Sequence, residues 1–336
     1  MTIRDLSAQT GYSVGTISRV LNDHPNVSAK ARKVILEAVA ESGFQLNANA
    51  KQLKQQHGNS ILVVVKGTNN ELFSELVEAI QSRFAESKYP LVVHYQDEND
   101  NEVARGVQLC TEKKPLGIFF LGGNQQNFRE HFGKIDVPCV LVTNSAAELD
   151  FPNLSSVSTA DMDACTEAMD ELVAMGHRNI AIAGGYLENS DTSRLRYEGC
   201  LRSLRRHGIA FDEENDYVEG KYSYQDGYRG TKKLLESGRK FTAVFAVADV
   251  VAIGVMRALW DSGFRVPEDV SVMGYDGLRL GDYLVPRLSS IHQSVPALAE
   301  RSVEILMDCI ENGGKARHET VPYTVRLRES TRGIIK

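Results

Sequence analysis

From residue 61 onward, short runs of apolar and β-branched residues alternate with amphipathic segments of helical period. Strands separated by helices form parallel sheets with helices on both faces, because a parallel connection must cross the length of the sheet. The alternation forms two successive series, so we expect two doubly wound lobes. The predicted strands are 61–65, 91–94, 117–121, 138–143, 180–183, 243–247 and 270–275. The predicted helices are 73–87, 102–112, 163–175, 193–207, 224–237, 250–262 and 296–311.

The arrangement also predicts where a ligand binds. In open parallel sheets, ligands lie outside the carboxyl ends of the strands. Two lobes whose strand ends face each other therefore enclose a cleft, and the residues directly after the strands are the candidates to line it. Residues 69–73 follow the first strand, Thr143 and Asn144 end the fourth, and Asp276 follows the last of the second series.

The first residues have a different pattern, that of short helices meeting at a tight turn. Gly11 suits the turn because a positive φ angle costs glycine little. Ser13 can cap a second helix whose apolar side is Ile17, Val20 and Leu21. A helix this short buries little, so we expect its other side to contact a partner. In a helix-turn-helix, such a face enters the major groove of DNA. That side carries Val14, Gly15, Thr16, Ser18 and Arg19.

A third helix and the charge distribution favour a DNA-binding headpiece over the alternative, a helical hairpin packed on a larger domain. Ser28 can cap this helix and Gly43 can end it. Its predicted buried stripe is Ala31, Val34, Ile35, Ala38 and Val39. Residues 1–58 hold seven Lys and Arg against four Asp and Glu, a balance of +3, which leaves −9 for the rest of a chain of net charge −6. A basic head on an acidic body suits phosphate contact at one end only.

The N-terminal residues resemble the headpiece of the lactose/galactose repressor (LacI/GalR) family. The matching residues are Ile3-Arg4-Asp5-Leu6, Gly11-Tyr12-Ser13, Thr16-Ile17-Ser18-Arg19-Val20-Leu21-Asn22, Val27-Ser28, Arg32 and Gly43-Phe44. The resemblance covers essentially the whole chain. It implies an α plus α/β fold, in which a three-helix helix-turn-helix headpiece and a hinge helix precede a two-lobed, periplasmic-binding-protein-like core of doubly wound parallel sheets.

The resemblance also implies domain boundaries. The headpiece is expected at 1–45, the hinge helix and linker at 46–58, and the effector-binding and dimerisation core at 59–336. Lobe one then comprises about 59–159 and 292–320, and lobe two about 160–291 and 321–336. The chain is expected to cross between the lobes near 158–161, 289–294 and 319–322.

In this family the hinge helix orders when it pairs with its dimer mate on DNA, and a leucine matching Leu53 wedges into the minor groove. Here Leu46 replaces the usual proline, and Lys51 replaces an arginine. Lysine keeps the positive charge but cannot form the two parallel hydrogen bonds that a guanidinium makes. An ordinary linker contact is the alternative for Leu53. The candidate DNA-binding residues are Thr2, Ser13, Val14, Gly15, Thr16, Ser18, Arg19, Asn26, Asn47, Ala50, Leu53 and Lys54.

The resemblance places effector-binding residues in the cleft. Arg196 matches an arginine that binds the effector, Tyr222 an aromatic wall, and Asp276 a carboxylate that accepts ligand hydroxyls. Each has an alternative role. Arg196 could be an exposed helix charge, Tyr222 could pack at the rim, and Asp276 could cap the following turn. Ala248 replaces an asparagine that contacts the ligand, and Asp249 is expected to cap the next helix. The candidate effector-binding residues are Phe73, Thr143, Asn144, Arg196, Tyr222 and Asp276.

These features predict a sequence-specific DNA-binding transcriptional regulator, a repressor of carbohydrate-utilisation genes controlled by a sugar or sugar derivative in the cleft. The expected partners are a pseudo-palindromic double-stranded operator and a second copy of the chain. The last residues have no heptad pattern, so a homodimer is expected. The alternatives are a regulator that responds to a nucleobase, nucleoside or sugar phosphate as co-repressor, and an effector-blind DNA binder. Inducer and co-repressor use the same cleft, so the sign of control stays open.

Enzyme, membrane and secreted classes find little support. The first strand is not followed by a dinucleotide fingerprint, and neither a phosphate loop nor a nucleophile elbow occurs. No cofactor is expected. The five cysteines are widely spaced without a paired motif, so neither a metal site nor a disulfide framework is expected. The chain lacks an apolar stretch long enough to span a bilayer or direct export, and a cytoplasmic protein is expected.

Overall fold

The computed structural model describes residues 3–21, 27–42, 58–68, 70–188 and 190–334. The chain divides into two compact units, Met1–Asn59 and Ser60–Lys336. Every helix in these described ranges is too short or too polar to cross a membrane.

The N-terminal unit contains three helices, α1 (Ile3–Thr10), α2 (Val14–Leu21) and α3 (Ala29–Ser42). Gly11 turns the chain between α1 and α2 with a φ of 72°, as its position predicts. The Ser13 hydroxyl accepts a hydrogen bond from the backbone N–H of Thr16 at 3.2 Å, so it caps α2. The helices enclose a small core of Leu6, Ile17, Val20, Ile35 and Ala38.

The larger unit alternates strands and helices. Its strands are β1 (Ile61–Lys66), β2 (Leu91–Gln96), β3 (Gly117–Leu121), β4 (Cys139–Val142), β5 (Leu154–Thr159), β6 (Ile180–Gly184), β7 (Tyr217–Glu219), β8 (Ala243–Ala246), β9 (Ser271–Asp276), β10 (Ser289–Gln293), β11 (His318–Val321) and β12 (Tyr323–Arg326). Its α-helices are α4 (Glu71–Phe84), α5 (Glu102–Lys113), α6 (Gln125–His131), α7 (Asp161–Ala174), α8 (Asp191–Arg206), α9 (Glu213–Asp216), α10 (Tyr224–Glu236), α11 (Asp249–Asp261) and α12 (Val295–Asn312), and Phe132–Lys134 and Arg279–Asp282 form 3₁₀ turns.

The strands form two sheets, which define lobe one and lobe two. The order in lobe one is β11-β5-β4-β3-β1-β2, and all its neighbours are parallel. The order in lobe two is β12-β10-β9-β8-β6-β7, in which only the pairing of β12 with β10 is antiparallel among the strands described. The chain passes between the sheets after β5, after β10 and after β11, so all three crossings lie at one edge of each sheet.

Each sheet is covered on both faces, which explains the continuous apolar strands. In β1, Ile61, Val63 and Val65 pack into one core cluster of lobe one, whereas Leu62 and Val64 pack into the other. Such strands lack the alternation of a half-exposed sheet.

Strand β5 was not predicted, because three of its six residues are serines, Ser155, Ser156 and Ser158. They are nevertheless buried, and the hydroxyl oxygens of Ser155 and Ser156 accept hydrogen bonds from backbone N–H groups. Ser156 Oγ, for example, accepts a bond from the backbone N–H of Ala146 and lies 2.9 Å from Nδ1 of His318. An apolar pattern cannot reveal a strand of this kind.

Candidate functional site

A cavity of about 260 Å³ lies between the two lobes, at the carboxyl ends of their strands. Lobe one contributes Phe73, Thr143 and Asn144 to its lining, and lobe two contributes Arg196, Tyr222 and Asp276. The structure therefore brings together all six residues that the sequence singles out as effector-binding candidates.

Arg196 lies at the base of the cavity and is immobilised by its neighbours. Its side chain is 4% exposed. Nε donates to Oδ1 of Asp161 at 2.8 Å, and Nη1 donates to the carbonyl of Val247 at 2.6 Å. The guanidinium carbon lies 3.6 Å from the centre of the Tyr275 ring, whose hydroxyl donates to the same Asp161 oxygen at 2.6 Å. The alternative of an exposed helix charge is therefore wrong.

Asp276 ends β9 in a left-handed conformation, with a φ of 118°. Its Oδ1 accepts a hydrogen bond from Nε2 of Gln293 at 2.9 Å and lies 3.7 Å from Nη1 of Arg196. Oε1 of Gln293 in turn accepts a bond from the Thr159 hydroxyl at 2.8 Å. Burial raises the pKa of Asp276 to about 6, although Arg196 opposes the shift. Because Thr159 and Gln293 stand at two lobe crossings, the carboxylate is bonded into the connection between the lobes.

Tyr222 forms one wall of the cavity in lobe two. Its hydroxyl lies 2.8 Å from Oγ of Ser193, a buried residue of α8. The ring packs against Gly185, where a Cβ atom would lie 2.8 Å from the ring. These two contacts hold the ring in one position, which suits a surface for packing against a ligand.

The three candidate residues of lobe one are neutral. Phe73 packs over Gly122, where a Cβ atom would lie 2.7 Å from the ring. Nδ2 of Asn144 donates to the carbonyl of Gly123 at 3.2 Å and, across the cleft, to the hydroxyl of Thr192 at 2.9 Å. Thr143, at a φ of 78°, donates to Oδ1 of Asn144 at 3.2 Å. This side offers an amide, a hydroxyl and an aromatic ring.

Sequence reasoning missed two lysines that line the cavity. Lys66 ends β1, and its Nζ lies 2.5 Å from Oε2 of Glu102, which is fully buried. Lys221 follows β7, and its Nζ lies 2.6 Å from Oε1 of Glu98. Lys66 could have been found, because a lysine directly after five apolar residues, at the end of a strand, stands where ligands bind.

The prediction that Asp249 caps α11 is wrong. The helix begins at Asp249 itself, and Ala248 holds the cap position without a side-chain hydrogen bond. The Asp249 carboxylate instead accepts bonds from the backbone N–H of Leu278 at 2.7 Å and from the Ser290 hydroxyl at 2.6 Å. It therefore anchors the loop after β9, on which the position of Asp276 depends.

In the headpiece, Ser13, Gly15 and Arg19 are exposed and Thr16 is half-buried, on the side of α2 opposite Ile17 and Val20. Val14 and Ser18 belong to α2, but their side chains are outside what the structure describes. The remaining candidate DNA contacts and the predicted hinge helix also lie outside the described residues; those candidates are Thr2, Asn26, Asn47, Ala50, Leu53 and Lys54.

Known proteins resemble the chain over its whole length. The profile of the bacterial regulatory proteins of the lacI family matches residues 2–47, and that of the periplasmic binding protein-like domain matches residues 169–331. The chain is 32% identical to the HTH-type transcriptional regulator MalR of Clostridium butyricum, over 98% of this chain and 99% of the relative. It belongs to the LacI family. It is 30% identical to catabolite control protein A of Priestia megaterium, over 99% of both chains.

The architecture is likewise that of a LacI-family protein. The crystal structure of the lac repressor dimer bound to operator and the anti-inducer ONPF superposes with a TM-score of 0.76 at 27% identity, over 99% of both chains. The predicted fold class is therefore confirmed. The matched relatives are transcriptional regulators, and this chain is a DNA-binding transcriptional regulator with a helix-turn-helix headpiece.

Proposed function

We propose that this LacI-family protein is a cytoplasmic, dimeric repressor of carbohydrate-utilisation genes, without catalytic activity, and that a neutral sugar or sugar derivative controls it. The effector would bind in the interlobe cavity, against Phe73, Thr143, Asn144, Arg196, Tyr222 and Asp276. Two headpieces would bind the half-sites of a pseudo-palindromic operator, with Gly15, Thr16 and Arg19 toward the DNA.

The observation that carries the proposal is the pairing of the cations around the cavity. Arg196 is bonded to Asp161, Lys66 to Glu102, and Lys221 to Glu98. A phosphate or other anion would have to compete with these carboxylates and would lie close to Asp276. A neutral polyol instead needs fixed hydrogen-bonding groups beside apolar surface, and the cavity offers the amide oxygen of Asn144, the carboxylate of Asp276 and the rings of Phe73 and Tyr222. The charge balance thus supports a sugar over a sugar phosphate.

The test is a thermal-shift screen of the full chain against neutral sugars, sugar phosphates, nucleobases and nucleosides. We expect a neutral sugar to raise the melting temperature, because a ligand that binds only the folded state stabilises it. Asp276→Asn should abolish the shift. Asp163→Asn is the matched control, because Asp163 is an exposed carboxylate on α7 whose side chain is 64% exposed.

Each other outcome of the screen would support a different effector or a different binding site. A shift produced only by a nucleobase, nucleoside or sugar phosphate would replace the sugar with that co-repressor class. A shift that survives Asp276→Asn would mean that the ligand binds elsewhere. No shift with any compound would favour an effector-blind DNA binder.

A further inference from the structure

Beyond effector recognition, the structure shows a set of bonds between the lobes at the edge opposite the crossings. We propose that residues 221–224 form a latch that holds the two lobes together at the mouth of the cleft. The latch has two bonds to lobe one, Lys221 to Glu98 and Tyr224 to Glu71, and it controls how often the cleft opens.

Both bonds join different lobes. Lys221 lies two residues after β7, the edge strand of lobe two, and Tyr224 begins α10, the helix that follows. Glu98 follows β2, the edge strand of lobe one, and Glu71 begins α4 after the neighbouring strand β1. The Lys221 ammonium lies 2.6 Å from the Glu98 carboxylate, and the Tyr224 hydroxyl donates to Oε1 of Glu71.

The sheet order places these bonds far from the three crossings between the lobes, so a rotation of one lobe moves them by a large distance. The crossings lie at β5, β11, β10 and β12, whereas β2 and β7 are the opposite edges of the two sheets. Five strand intervals separate the edges, a distance of about 24 Å at about 4.8 Å per interval. A rotation of about 10° around the crossings would therefore part the latch by roughly 4 Å, while bonds nearer the crossings would move less. An ion pair does not survive that separation.

The latch is also continuous with the cavity. Tyr222 lies between the two latch residues in sequence, lines the cavity and is bonded to Ser193 of lobe two. Lys221 lines the cavity as well. A molecule that packs against Tyr222 therefore contacts the segment whose ends join the lobes, so occupancy of the cavity and closure of the latch are coupled.

The two bonds differ in their sensitivity to salt. Glu98 and Lys221 have side chains that are 44% and 45% exposed, so dissolved ions screen their attraction. The bond from Tyr224 to Glu71 has a neutral donor and depends less on salt. Opening should therefore increase with ionic strength, but only in a protein that retains Lys221 and Glu98.

The experiment is hydrogen-exchange mass spectrometry on the full chain, which needs no ligand. In Lys221→Met/Tyr224→Phe we expect exchange to rise about threefold or more in lobe-one peptides around residues 97–103 and 119–126, which carry no substitution. The salt dependence of that exchange should disappear in the same variant. Lys221→Arg, which keeps the charge, should stay close to wild type.

Two controls separate a latch from a local effect. Lys240→Met makes the same chemical change at an exposed lysine away from the cavity, and it should leave the lobe-one peptides unchanged. The exchanged pair Glu98→Lys/Lys221→Glu should restore the protection that either single reversal removes. Faster exchange confined to the substituted peptide, or an equal effect of Lys240→Met, would overturn the proposal. Because the readout uses no sugar, failure of the latch is distinguishable from failure of the proposed effector.

Discussion

The two lobes have nearly the same strand order but bring different chemistry to the cavity between them. Lobe two contributes a buried cluster of charged groups, in which Arg196 is bonded to Asp161, stacked on Tyr275 and close to Asp276. Lobe one contributes the amide of Asn144, the hydroxyl of Thr143 and the ring of Phe73. The same scaffold therefore places a buried cluster of charged groups on one side, and these neutral groups beside the Lys66–Glu102 ion pair on the other.

In lobe two, the recognition of a ligand and the stability of the fold depend on the same side chains. In lobe two, removing one partner leaves a charge buried, so the groups that would recognise a ligand also hold the lobe together. In lobe one, the neutral groups can change with a smaller loss of stability.

Arg196→Met should have the largest effect on stability. It leaves the Asp161 carboxylate buried without its cationic partner, and breaking a buried pair in this way costs about 3–5 kcal/mol. Urea denaturation of the full chain measures the loss. Arg202→Met, on the same helix, is the control, because its ion pair with Asp163 is exposed and worth about 1 kcal/mol or less. Equal losses in the two variants would mean that the buried Arg196–Asp161 pair is worth no more than the exposed pair of Arg202 with Asp163.

Asp276→Asn should change the pH dependence of stability. The Asp276 pKa is about 6 in the folded protein and 3.8 as its ordinary value. Below pH 3.8 the carboxyl is protonated in both states. Between pH 3.8 and pH 6 the carboxyl ionises in the unfolded chain but stays largely protonated in the folded protein. A contribution of about 3 kcal/mol to the free energy of unfolding is therefore lost across this range.

Asparagine does not ionise, so the melting temperature of the variant relative to wild type should rise between pH 4 and pH 7. Calorimetry across that range measures it, with Asp163→Asn as the exposed control. A difference between variant and wild type that does not change with pH would contradict a buried, ionisable Asp276.

Gly122→Ala tests the lobe-one wall. Gly122 has a φ of 73°, and a Cβ atom there would lie 2.7 Å from the Phe73 ring. Strain in the left-handed region and displacement of the ring should together cost about 1–3 kcal/mol. Gly238→Ala is the matched control, because Gly238 has a φ of 74° with open space around its Cβ position. Denaturation should show a larger loss for Gly122→Ala; equal losses would mean that Phe73 moves aside freely.

Arg19→Ala should leave both lobes unchanged and alter only DNA binding. Loss of one phosphate contact should reduce the slope of log affinity against log salt concentration by about 1. Fluorescence anisotropy with a labelled duplex measures the slope, and Arg257→Ala, at an exposed arginine of α11, should not change it. An unchanged slope in Arg19→Ala would place this side chain away from the phosphates.

The success of sequence reasoning differed between elements for physical reasons. Strands such as β1 and β3 were predictable because burial on both faces demands continuous apolar residues. Strand β5 was not, because three of its six buried residues are serines, and two of these have hydrogen-bonded hydroxyls. Helix starts were predictable where a serine caps the first turn, as Ser13 does, but Asp249 bonds to residues about 30 and 41 positions away instead.

The parallel topology identified Thr143, Asn144 and Asp276 as candidates at strand ends, whereas Arg196 and Tyr222 were expected only because the chain resembles the LacI/GalR family. The partners and the burial of these residues could not be predicted from the sequence. Nothing near Arg196 in the sequence indicates that Asp161, 35 residues earlier, neutralises it, or that Tyr275 lies beneath it. The pKa of Asp276 also depends on burial, which the folded lobe alone creates.

Local periodicity and turn residues were enough to predict the alternation of strands and helices and the helix-turn-helix, because these features depend on neighbouring residues. The six candidate cavity residues needed the family resemblance as well. Only the tertiary structure decided which charges are paired and which bonds join the lobes. Glu98 and Lys221 are 123 positions apart in the chain, and they meet because the two sheets place their edge strands face to face.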